Sequence, residues 1–153
     1  MKHLFDSLVV EDTKKRILAL RPESERQWGS MGVAQTLAHC TASIEMAMGG
    51  LKAKRAPILA RWMGLLIKPL VFRDDQPIRR NSPSSPELFH TGSTEFDFGG
   101  ERSRLIAAIE NFAGQGPGGC TRNPHPFFGP LKPQQWAILM YKHVDHHLRQ
   151  FGV

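Results

Sequence analysis

Apolar residues recur at helical spacing in four stretches of this chain, and no run alternates as a strand does for more than a few residues. The first stretch, from about Leu4 to Leu20, carries Leu8, Val9, Ile17, Leu18 and Leu20. It stops before Pro22, because the residue ahead of a proline is pushed out of the helical region. The second, Val33 to Met48, lines up Leu37, Cys40, Ile44 and Ala47 as one stripe, with Gly49-Gly50 as its stop. A shorter apolar piece, Ile58 to Ile67, predicts a helical turn or two lying across the other helices. Residues 73 to 98 hold three prolines and four serines and predict a long irregular crossover. A third helix opens near Asp97, a good N-cap, and runs through Leu105, Ile106, Ile109 and Phe112 to Gly114. After a Gly/Pro-rich loop, Pro133 stands at the first position of a fourth helix, where a missing N–H costs no intrahelical bond.

These elements predict an all-α protein, an antiparallel four-helix bundle with a long irregular crossover between helices two and three. With 153 residues the chain can fill one hydrophobic core and is short for two, so residues 1–153 read as a single domain. In such bundles, ligand sites are built from side chains that project inward from facing helices.

Composition narrows the classes further. An apolar fraction of 41% with 22% charged residues belongs to a folded globular chain rather than a disordered one. The longest apolar run, Ile58 to Phe72, is interrupted by Arg61, Lys68 and Pro69. It falls short of the ~20 residues a bilayer span needs, so no membrane partner is expected. The first residues lack the sustained apolar segment of a secretory signal and carry acids, which predicts a cytoplasmic protein. Cys40 and Cys120 are too few for a disulfide framework and are expected as thiols. A net charge of +6 raises a nucleic-acid reading, but the basic residues are spread from Lys2 to Arg149 among acids, with no aromatic stacking pattern. A solvated basic face accounts for them better than nucleic acid does.

Three of the seven histidines fall within the last eleven residues. In the fourth helix Trp136, Met140, His143 and His147 follow i, i+4, i+7, i+11 spacing, so both histidines share a face with large residues that must be inward. One turn apart, ~6 Å along the axis, their rings can reach a single ion at ~2.0 to 2.1 Å. The competing account of such a pair is two hydrogen-bonded core histidines. His146 lies about 60° from His143 on the helix and reads as a hydrogen-bond partner behind the ligands, a substitute ligand or a solvated residue. Asp145 faces away. On the second helix His39 borders the apolar stripe and can supply a third ligand. Three inward imidazoles without partners would be costly to bury, and a metal removes that cost. His125, held between two prolines before the fourth helix, reads as a proton carrier over the mouth of the site, or as a turn residue beside Phe127 and Phe128. His3 and His90 read as solvated. Cys40 adjoins His39, but neighbouring helix positions diverge by about 100°, so it reads as a buried structural thiol rather than a nucleophile.

The strings "MGVAQTLAHC", "DFGGERSRL" and "HPFFGPLKPQQWAILMYKHVDHHLRQFG" together resemble the domain-of-unknown-function 1569 family, within the DinB-like (DinB/YfiT-like) superfamily of bacterial four-helix-bundle metalloproteins. The resemblance covers nearly the whole chain, and its C-terminal string is the specific part. It implies a divalent metal (zinc, nickel, iron or manganese) on a histidine triad, which falls by position on His39, His143 and His147, and it implies frequent homodimers. Better-studied relatives transfer or isomerise groups with low-molecular-weight thiols that the metal activates.

The expected function is therefore a divalent-metal-dependent transferase, with a thiol as candidate co-substrate, or a hydrolase, acting on a small molecule. The basic balance favours an acidic substrate or thiol cofactor by long-range steering. The alternative is a non-catalytic, metal-stabilised bundle that dimerises or binds a partner through the apolar piece around Trp62, Met63, Leu65 and Leu66.

Overall fold

The computed structural model describes residues 1–80 and 96–153, which form five α-helices with no strand among the described residues. Helix α1 (Ser7–Ala19) opens where the Asp6 carboxylate accepts the Leu8 N–H at 2.9 Å. It begins three residues later than its apolar pattern suggests. Leu4 is fully buried, but in a turn ahead of the helix, where its N–H bonds the Ala137 carbonyl. The buried stripe of α1 is Val10, Thr13 and Ile17, continued by Leu20, while Leu8 and Leu18 are exposed. The mixed spacing of the apolar residues hid which face was inward.

Helix α2 (Val33–Met48) has the predicted bounds. Gly49 adopts φ 85°, a left-handed turn that lets Gly50 N–H bond the Glu45 carbonyl at 2.9 Å and closes the helix end. Leu37, Cys40, Ile44 and Ala47 are all buried, and so is most of the remaining surface. Two of its polar residues bond locally: Thr41 donates to the Leu37 carbonyl and Ser43 to that of His39.

Helix α3 (Ile58–Val71) is longer than the turn or two expected. Pro69 lies in its last turn, where only the final two residues follow the lost N–H and the helix end survives. The Lys142 ammonium donates to the Val71 carbonyl at 2.7 Å and to the Asp74 carbonyl at 2.6 Å, placing a cation at the negative end of the helix dipole.

Helix α4 (Phe98–Gln115) is capped by Asp97, whose carboxylate accepts the Gly100 N–H at 2.7 Å, and buries Leu105, Ile109 and Phe112. A 3₁₀ turn, Gly116–Gly119, follows it. Helix α5 (Pro133–Gln150) starts at Pro133 as predicted. Lys132 offers no oxygen to cap the helix, but the Gln135 carboxamide reaches back to accept the Lys132 N–H at 3.0 Å. Helix α2 packs chiefly on α4, with α1 and α5 completing a core centred on Trp136, Phe112, Ile44 and Ile109. No helix among the described residues is long and apolar enough to cross a membrane.

Asp145 points away from the histidine face of α5, as its position suggests, yet it is buried rather than solvated. Its two oxygens accept from Arg16 on α1 and Arg149 on α5, each at 2.7 Å. Replacing Asp145 with Ala leaves the Arg16 guanidinium without its anion in a half-buried place and is expected to cost about 3 kcal/mol of stability. Arg149→Ala, at a largely exposed side chain, is expected to cost less than about 1 kcal/mol. Urea midpoints at neutral pH measure both.

Candidate metal centre

Two helices bring the three histidines together. The inward stripe of α5 carries His143 and His147 on consecutive turns, and α2 presents His39 against them. The three ring centroids are 4.8, 4.9 and 4.8 Å apart, and one nitrogen from each ring lies within 4.8 Å of the others. His39 and His147 are buried and His143 is half-buried.

The Nε2 atoms of His39 and His143 face each other at 3.0 Å. Two imidazole nitrogens so placed either share one proton or offer lone pairs to one cation. The edge of a tetrahedron with ~2.0 to 2.1 Å bonds is ~3.3 Å, close to this separation. His143 Nδ1 is buried with no hydrogen-bond partner among the described residues. An all-histidine cluster of this kind has the donor set of a zinc-type site, and no carboxylate belongs to it among the described residues.

Burial keeps His143 and His147 neutral. Burial holds His143 well below the usual imidazole range, with charge on His147 and His39 acting in the same direction. Burial and the His39 charge lower His147 to about 3, against its hydrogen bond to Gln150. A neutral imidazole has a lone pair ready for a cation at pH 7 without first losing a proton.

Gln150, which the sequence pattern passed over, decides which lone pair that is. Its carboxamide oxygen can only accept, so the 2.8 Å contact with His147 Nδ1 places the proton there and leaves the lone pair on Nε2. The carboxamide nitrogen donates to the Trp28 carbonyl at 2.6 Å, and the Gln150 carbonyl accepts the Gln27 N–H at 2.8 Å, so the loop before α2 locks the side chain. The available signal was the i, i+3 spacing from His147.

The other candidates lie around this cluster. His146 stands outside it, edge-on to His147 at 5.1 Å and to Trp28 at 5.8 Å, with Nδ1 3.2 Å from the Ile78 carbonyl. It borders a groove of about 390 Å³ lined also by Trp28, Ile78, Arg80 and Arg149. His125 packs on Phe128 and Trp136, and its Nδ1 accepts the N–H groups of both Phe127 and Phe128 at 3.1 Å. Its proton therefore sits on Nε2, and a second proton would displace both amides. Burial, with Lys68 nearby, lowers its pKa to about 4. Cys40 is a buried free thiol that burial pushes up, away from thiolate. His3 lies near the chain start, where its Nδ1 accepts the Phe5 N–H, and His90 lies outside the described residues.

Two outcomes follow. Because folded His125, His143, His146 and His147 bind protons less readily than unfolded histidine, the unfolded chain takes up more protons below pH ~6.5. The metal-free protein should therefore lose stability as pH falls from 7 towards 4, which urea midpoints across that range measure. In the native protein, iodoacetamide should modify Cys120 and reach Cys40 only after unfolding, as peptide mapping reads out.

A family model described as Protein of unknown function (DUF1569) matches residues 5–152. No curated protein and no solved structure matches the chain significantly. Running from the residues before α1 to the turn after α5, the family match makes this chain a member of the DUF1569 family.

Proposed function

We propose that the chain is a DinB-like antiparallel four-helix-bundle metalloprotein in which His39, His143 and His147 hold one divalent cation. We infer further that it is a metal-dependent transferase or hydrolase acting on a small acidic molecule, with a low-molecular-weight thiol as candidate co-substrate. The observation that carries the reading is the convergence of three imidazoles from α2 and α5, with Gln150 setting the tautomer of His147. A divalent cation on three uncharged ligands keeps nearly its full charge and lowers the pKa of a bound water, towards ~7 for zinc, and that of a bound thiol likewise.

The chain's own groups support this chemistry around the cluster. His125 offers an Nε2–H as donor, since its Nδ1 is committed to two amides. Arg80 lies over the Trp28 ring at 4.2 Å and lines the groove, where a guanidinium can meet an anion. Arg149 lines the same groove, and His146 separates it from His147. That arrangement favours an acidic substrate.

Elemental analysis of purified and reconstituted protein tests the reading. One ion per chain is expected, with affinity reduced at least ~10-fold in His39→Ala and His147→Ala and ~10- to 100-fold in Gln150→Leu. Wild type that binds no stoichiometric metal overturns it. For metal-loaded protein, assays of thiol transfer to, and hydrolysis of, small acidic electrophiles separate the enzyme from a metal-stabilised structural bundle, which uniform inactivity would favour.

A further inference from the structure

Helix α3 is apolar on two faces. At 100° per residue, Ala60, Gly64, Ile67 and Val71 form the face turned to the protein. Gly64 is buried against Phe127, and any side chain there would collide with the Phe127 carbonyl, while Ile67 and Val71 pack on the core. Arg61 and Lys68 form a basic edge beside that face, with the Lys68 ammonium bonded to the Pro130 carbonyl. The opposite arc carries Ile58, Leu59, Trp62, Met63, Leu66 and Leu70, joined by Leu65, and each is at least half exposed. Seven large apolar side chains on one arc of one helix make a larger patch than isolated exposed residues, and such patches mark interaction surfaces.

The charges around the patch select its occupant. From Leu51 to Phe72 the chain carries Lys52, Lys54, Arg55, Arg61 and Lys68 and no acidic residue, while Arg73 beyond it pairs with Asp74. A second copy of the protein would bring the same cations to the patch and no carboxylate from this segment to meet them. An anionic lipid surface is complementary in both respects, since headgroup charge attracts Lys and Arg and the acyl boundary accepts the apolar arc. Trp62, at the centre of the arc, has the amphipathic ring favoured at that boundary. With 14 residues α3 is too short to span a bilayer and suited to lying in its plane. Its seat on Phe127 and the bond from Lys142 to its C-terminal carbonyl hold it with the arc outward.

We propose that α3 is a peripheral docking helix that lies in the interface of an anionic membrane, with its apolar arc in the acyl boundary and its basic edge on the headgroups. The inference is independent of the metal reading. The test is co-sedimentation of the full chain with vesicles of phosphatidylcholine alone and of phosphatidylcholine with phosphatidylglycerol, at low and high salt, together with Trp fluorescence. Expected are binding at least ~10-fold tighter to the anionic vesicles, weakening with salt, and a blue shift lost in Trp62→Ala. Leu66→Glu, at an exposed position, and the double change Lys52→Glu with Lys54→Glu should each weaken binding at least ~10-fold while leaving helical content and thermal midpoint unchanged. No binding to anionic vesicles, or equal binding to neutral ones, overturns the proposal. So does a lipid-free dimer that Leu66→Glu dissociates, which would assign the arc to a second copy.

Discussion

Three imidazoles converge in this protein, and burying two of them, His143 and His147, without charge is the constraint on which the rest of the arrangement depends. A polar ring removed from water costs free energy unless its nitrogens find partners. Here burial holds His143 and His147 neutral, and the nitrogens of His39 and His143 face each other at 3.0 Å. That contact requires α2 and α5 to lie side by side in one register. The apolar neighbours Leu37, Ile44, Trp136 and Met140, all buried, supply the packing that holds the register. A cation among the three lone pairs would turn the cost of this burial into binding energy, and folding would gain what the ion contributes.

Helix α5 serves a different neighbour on each of its sides. His143 and His147 meet α2, Lys142 meets the end of α3, Asp145 meets α1 through Arg16, and Gln150 meets the loop around Trp28. Five polar side chains of one helix are thus buried or half-buried with named partners, which explains how so polar a sequence as "YKHVDHHLRQ" can occupy the middle of the protein. A charged residue placed in an interior is tolerated when it is paired, and Lys142 and Asp145 are both paired by groups outside their own helix.

Much of the fold was legible locally. Asp97, Pro133 and Gly49-Gly50 mark helix ends because caps and stops act through bonds a few residues long, and the bounds of α2 follow from them. The misreadings share a cause. The inward face of α1 was hidden because Thr13, a polar residue, occupies the buried stripe, its hydroxyl bonded to the Val9 carbonyl, while Leu8 and Leu18 face out. The extent of α3 was hidden because Pro69 reads as a breaker, whereas its place in the last turn makes the lost bond cheap and Lys142 supports the carbonyl end. In each case the element's place in the whole fold outweighed a local preference.

The sequence by itself determined where most helices stop and start and that His143 and His147 share a face with Trp136 and Met140, since the 3.6-residue period and capping chemistry operate within single elements. Only the tertiary structure decided that His39 meets His143 across 104 positions of chain, that Gln150 and not another group holds His147, and that Asp145 is buried between two arginines. Those pairings depend on how whole helices are rotated against one another. That rotation is chosen by the summed packing of the core, which no short stretch of residues specifies.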